Sequence, residues 1–244
     1  MKPMWFVLTR GARRALRLRD ERSIWPAPDG SDSELVVITE VDLTEVVVLS
    51  TPRVCRLHYE VDAIAATMIL GAQPPAPWPD AARVGGRSFE LMVTDRGPLV
   101  VPSQGESLPN RLASWLESVS ENVRSVWPVP PDDCVAGTEW ESTPSLPGGL
   151  PPHTQSATVN IKYRVNEVHN GYATVAIDFA LRAVVRPPRA TQPHTAEGRG
   201  ELEVTLARQG GFHSAKRTGA LQIVRPGAVR NQLVRSRMAV SARG

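Results

Sequence analysis

Period-two alternation of apolar and polar residues recurs along this 244-residue chain and limits its fold more than any other feature. Successive side chains of a strand point to opposite faces, so this period marks segments with one buried and one wetted face. Leu57-His58-Tyr59-Glu60-Val61 is the cleanest case. In another, Val159, Ile161, Tyr163 and Val165 point one way while Asn160, Lys162 and Arg164 point the other. Phe89-Glu90-Leu91-Met92-Val93-Thr94 alternates too, as do Leu202, Val204 and Leu206. Leu35-Val36-Val37-Ile38-Thr39 and Val46-Val47-Val48-Leu49 are β-branched runs, and Ile64 to Leu70 continues in kind. His169-Asn170-Gly171 predicts a hairpin, because Asn-Gly tolerates the positive φ of tight turns, with Val175 to Leu181 as the return strand. Asp95-Arg96-Gly97 reads as a second turn, returning through Leu99-Val100-Val101. Gly210-Gly211 is a third, and Phe212 to Val224 adds one or two strands. In the first 34 residues, Arg13 to Arg19 alternates as a strand would, and Trp25-Pro26-Ala27-Pro28-Asp29-Gly30 reads as a turn.

One segment breaks the period. Leu108, Leu112, Trp115, Leu116, Val119, Val123 and Val126 recur at three and four residues, which places them on one stripe of a helix. Pro109 suits the first helical position, where its missing N–H costs nothing, and Pro128 stops the helix. Proline-rich stretches lie on either side of Gly137-Thr138-Glu139-Trp140. The predicted order is an N-terminal segment (1–34), a first β unit (35–102), an amphipathic helix (107–127), a proline-rich linker (128–156), a second β unit (157–224) and a basic tail (225–244). The fold class is mainly β with one helix (α+β).

The two β units carry matching segments. Leu57-His58-Tyr59-Glu60-Val61-Asp62 aligns with Ile161-Lys162-Tyr163-Arg164-Val165-Asn166. Gly86-Arg87 and Glu90 to Thr94 align, in the same order, with Gly198-Arg199 and Glu201 to Thr205. The expected architecture is therefore two diverged copies of one β unit. A short meander cannot bury its apolar face alone. Two copies joined through the helix would form a curved antiparallel sheet, a half-barrel or a sandwich.

Gly86-Arg87-Ser88-Phe89-Glu90-Leu91-Met92-Val93-Thr94, the hairpin from Tyr163 to Val168 with Asn170-Gly171, and Gly137-Thr138-Glu139-Trp140 after a proline-rich stretch give the chain, from about Arg14 to Val224, its likeness to known proteins. It resembles a family of uncharacterised bacterial lipoprotein-like or envelope proteins, defined only as a domain of unknown function. The resemblance implies no activity. The chain departs from that group in having no lipoprotein signal with its cysteine.

No nucleophile elbow, Walker pattern or G-x-G-x-x-G occurs, so the sequence offers no enzyme signature, no catalytic residue and no cofactor. Gly198-Arg199-Gly200 lacks the third glycine and precedes a strand. No two of His58, His153, His169, His194 and His213 stand at i, i+4, so no helical metal pair is expected. His58 and Asp178 fall on the wetted faces of their strands. Asp132, Asp133, Glu139 and Glu141 match no calcium loop and read as solvated linker. Cys55 and Cys134 could pair if the chain is exported or be buried thiols if it is not, and their separation decides neither case. No run approaches the ~20 apolar residues of a membrane helix. As written, the chain reads as cytoplasmic; a signal upstream of the given start would make it an envelope or secreted protein.

Charge is uneven. The net charge is only +3, yet no acidic residue follows Glu203. Arg225, Arg230, Arg235 and Arg237 are the candidate anion-binding residues. The leading functional expectation is a non-catalytic binding or structural protein that holds an apolar or lipid-like ligand on its sheet. The alternatives are an anion-binding module for nucleic acid or anionic lipid at the basic C-terminus, and an enzyme whose scattered site no motif reveals.

Overall fold

Alternation becomes strand wherever one face can be buried, and here nearly all of these faces are buried together. The computed structural model describes residues 8–28, 31–94, 97–101, 109–128, 135–141, 150–151, 153–188, 190–207, 211–227 and 230–243. The elements are β1 (Arg13–Trp25), β2 (Leu35–Ser50), β3 (Val54–Leu70), β4 (Ala76–Pro77), α1 (Pro79–Ala82), β5 (Ser88–Thr94), β6 (Gly97–Val101) and α2 (Asn110–Ser125). There follow β7 (Glu139–Trp140), β8 (Thr154–His169), β9 (Tyr172–Val185), β10 (His194–Ala207), β11 (Gly211–Val224) and β12 (Gln232–Arg243).

The twelve strands among the described residues belong to one sheet, in the order β6-β5-β3-β2-β1-β12-β11-β10-β9-β8-β7, with β4 lying beside β3. Every pairing is antiparallel. The first and last long strands meet at the centre, paired from Ala15–Arg243 to Trp25–Leu233. The outermost strands β6 and β7 are only five and two residues long, which limits the unpaired backbone they expose.

The mainly β, antiparallel expectation holds, and the structure corrects its finer form. Among the described residues it shows one open sheet, without the repeated units, half-barrel or sandwich. The matched segments lie on β3 and on β5 with the two residues before it in one half, and on β8 and β10 in the other. β3 pairs directly with β5, whereas β9 separates β8 from β10, so the two sets do not occupy equivalent places. Alternating strands share a pattern because they share a half-buried environment. The segment expected as a basic tail contains β12, and the N-terminal segment contains β1; pairing with each other orders both. Leu35–Thr39 and Val46–Leu49 belong to one continuous strand. The proline-rich linker includes β7 and the start of β8.

Local signals fare well. Asn170 (φ 49°) and Gly171 (φ 78°) make the tight turn between β8 and β9. The helix stripe becomes α2, with Pro109 one step earlier than expected, at the N-cap. Leu112, Val119, Val123 and Val126 are buried, and Trp127 just beyond them is only 1% exposed. Asp95, Arg96, Leu108, Asp132, Asp133 and Cys134 lie outside the described residues. No helix is long and apolar enough to cross a membrane among the described residues.

Candidate functional site

The sheet has an inner face, beneath α2, and an outer face in solvent. Three zones follow one another along the inner face. The first is the main core, where Leu16, Leu18, Leu43, Leu57, Tyr59, Leu91 and Phe212 are almost wholly buried. Glu45 sits within it at 0% exposure. Both carboxylate oxygens are engaged: Arg14 Nε donates to Oε1 at 2.8 Å and the Tyr59 hydroxyl to Oε2 at 2.6 Å. Trp127 Nε1 donates in turn to the Tyr59 oxygen at 3.1 Å, and Arg14 Nη1 reaches the carbonyl of Phe212 at 2.5 Å. One network thus ties β1, β2, β3 and β11 to the chain leaving α2. Burial, reinforced by Glu45, holds the Tyr59 phenol well above its ordinary value.

The second zone is a polar belt at the rim of the helix. Asp20 of β1 and Arg217 of β11 are 4% and 3% exposed and flank Met238 of β12. Arg217 Nη2 donates to Asp20 Oδ1 at 3.3 Å. Arg22 Nε donates to Asp20 Oδ2 at 2.8 Å, and Asn122 of α2 to the same oxygen at 3.4 Å. Arg22 also reaches Ser118 of α2 at 3.3 Å. Arg217 Nε and Nη1 have no partner. Burial lowers the Arg217 pKa, and Asp20 opposes that fall.

The third zone is apolar and lies beyond the belt. Its register runs across eight strands: Val159 of β8, Leu181 of β9, Gly198 of β10, Leu221 of β11, and then Val234, Ile24, Leu35 and Leu70 on β12, β1, β2 and β3. At the usual strand spacing this row is about 34 Å long. All but Leu181 are half-buried. On the β8–β11 side, Leu181, Ala183, Val185 and Ala196 form an apolar cluster separate from the main core. Among the described residues, the apolar side chains packed on that cluster are Val159, Phe179, Leu221 and Ile223, all from these same four strands. The arrangement can hold an apolar surface against the sheet.

The predicted anion-binding residues separate into two groups. Arg225 donates to Gln232 Oε1 at 2.7 Å, and Arg230 pairs with Asp32 and lies 5.4 Å above the Trp25 ring, so both are occupied near one end of β12. Arg235 and Arg237 stand together on the outer face of β12. His58 and Asp178 also face outward; His58 Nδ1 is 3.9 Å from Glu90 and Asp178 is exposed. Cys55 is a buried free thiol pushed up to about 12 by burial. Among the described residues, no three His, Cys, Asp or Glu gather as metal ligands. The inward charges Glu45, Asp20 and Arg217 were not anticipated from the sequence. Their signal was present: each falls at the buried parity of its strand, Glu45 between Leu43 and Val47 and Asp20 after Leu16 and Leu18.

No family model and no curated protein matches the chain. Among solved structures, lipovitellin aligns over 97% of this chain with a TM-score of 0.61 and 10% identity. The fold resembles part of lipovitellin. The chain spans a quarter of the length of that lipovitellin chain, and at this identity the likeness concerns the fold.

Proposed function

We propose that this chain is a non-catalytic binding protein that holds an apolar, lipid-like ligand on the inner face of its sheet, along the row from Val159 to Leu70. The observation that carries this reading is the row itself: apolar side chains, with one glycine, run across eight strands and all but Leu181 stay half-buried. An antiparallel sheet usually keeps one face on the core and solvates the other with polar residues. Here the core-facing parity continues past the helix as leucine, isoleucine and valine. Contiguous apolar patches of this kind mark places where another apolar surface docks. The structure of lipovitellin describes lipid–protein interactions, which adds support from a protein of similar fold.

The belt of Arg22, Asp20 and Arg217 gives the row a polar border, so the site suits an amphipathic molecule with its tail along the row. A fluorescent fatty acid titrated into the protein tests this. Saturable binding is expected, and the double variant Leu221→Gln, Ile223→Gln weakens it while far-UV circular dichroism stays unchanged. Equal binding by the folded variant would remove the row from the site.

A further inference from the structure

The outer face of β8–β12 carries a groove of about 600 Å³. Strand register explains its shape. One wall is a cross-strand row that begins with Arg235, Ala220 and Arg199; the other begins with Arg237, Thr218 and Glu201. The backbone of Ser236, Gly219 and Gly200 runs between them as a floor. Alanine and threonine keep the middle of the walls low, so the groove stays open.

The two ends differ in charge. At the β10–β12 end, Arg199, Arg235 and Arg237 surround Thr218 and Ala220, with Glu201 the nearest acid in the walls. At the other end Asp178 lies across from Lys162. None of the three arginines makes an ion pair with a described residue. Other arginines of this face do: Arg19 pairs with Glu40 at 2.8 Å, Arg182 with Glu197 at 2.9 Å, and Arg243 with Asp42. Glu21, opposite Arg237 on β1, lies 3.8 Å from Arg19. Three guanidiniums outside any ion pair on one cavity are a recognition element for a tetrahedral oxyanion, since their planar forks each present paired donors. Arg235 also lines an adjoining hollow of about 240 Å³ with Ser23, Trp25, Glu34 and Leu233, which gives room for an uncharged part of the molecule that carries the anion.

We propose that this groove binds a phosphate group, held by Arg199, Arg235 and Arg237 with the Thr218 hydroxyl beside them. The site is on the face opposite the apolar row, so it stands or falls separately from the lipid-binding reading. Calorimetric titration with inorganic phosphate is the first arm of the test, and flotation with phosphatidylcholine vesicles, with and without phosphatidic acid, is the second. Two folded variants are compared with the parent: R199Q/R235Q/R237Q, and R13Q/R164Q/R182Q, which removes equal charge from the same face outside the groove. The groove variant is expected to lose about tenfold in affinity per arginine, the worth of a charge-assisted hydrogen bond. The other variant stays within about twofold, because its changes act only through screened charge. Phosphate binding without a preference for phosphatidic acid supports the site with a free phosphate compound as its ligand. A preference for phosphatidic acid that the groove variant loses supports it with a lipid headgroup. Absence of both, or equal weakening in the two variants, overturns the proposal.

Discussion

Phe179 of β9 lies across Gly200 of β10: its Cζ is 2.4 Å from the point where a Cβ on Gly200 would stand. The carbonyl oxygen of Thr218 on β11 is equally close to that point. Glycine is therefore required at 200 by a ring that can move and by two backbone atoms that cannot move freely, the Thr218 carbonyl oxygen and the Gly219 Cα at 2.8 Å. Gly200→Ala is expected to cost about 1–3 kcal/mol, the range for overpacking a tight site. The cost persists in a Phe179→Ala background, because the Thr218 carbonyl remains. Urea denaturation of the two single variants and the double variant checks this; full rescue by Phe179→Ala would show that the ring alone sets the constraint.

The Asp20–Arg217 pair is predicted to be asymmetric. Removing Asp20 leaves Arg217 buried with no anion, and breaking a buried pair from this side costs about 3–5 kcal/mol. Arg217→Met leaves Asp20 its bonds from Arg22 and Asn122 and deletes two donors that have no partner. A change of less than about 1.5 kcal/mol is expected, as for volume-matched replacements of buried ions by apolar side chains. Equal destabilisation by Asp20→Ala and Arg217→Met in chemical denaturation would contradict this.

The Glu45 network predicts graded losses. Tyr59→Phe removes its hydrogen bond to a buried carboxylate together with the one that Trp127 Nε1 donates to its oxygen, costing about 2–3 kcal/mol. Glu45→Ala removes the anion that Arg14 and the Tyr59 hydroxyl share, although Arg14 keeps its bond to the Phe212 carbonyl, and costs about 3–5 kcal/mol. The order of the two variants in thermal melts is the check.

Stability should fall on the alkaline side. Burial raises the Cys55 thiol from 9.0 to about 12 and the Tyr59 phenol well above 10.0, so the folded chain keeps protons that the unfolded chain releases. The unfolded state then binds fewer protons, and stability declines with pH. The contribution from Cys55 is whole below pH 9 and is lost between about 9 and 12. Cys55→Val deletes one of the two titrations, and its melting temperature should fall less steeply over that interval. Identical pH profiles for the two proteins would remove Cys55 as a cause.

Strand periods, the Asn170-Gly171 turn and the α2 stripe were legible because each depends on neighbours in sequence. The union of β1 with β12 was not, since residues more than two hundred positions apart make it and neither strand alone names its partner. The same limit explains the repeat. Leu57–Val61 and Ile161–Val165 look alike because both strands bury one face, while β9 intervenes in only one half of the sheet. At the candidate site, the apolar character of Leu181 and Leu221 was visible, but their alignment with Ile24 and Leu70 exists only in the register. Arg235 and Arg237 were visible as charges, but only their place on the outer face of β12 sets them apart from Arg225 and Arg230, which precede that strand.

The most direct measurement of the central claim is native mass spectrometry of the freshly purified chain. Lipid binding along the Val159–Leu70 row predicts a discrete excess mass that dissociates as a lipid and is absent from the folded Leu221→Gln, Ile223→Gln variant. The bare chain mass in repeated preparations, or the same excess mass on that variant, would contradict it.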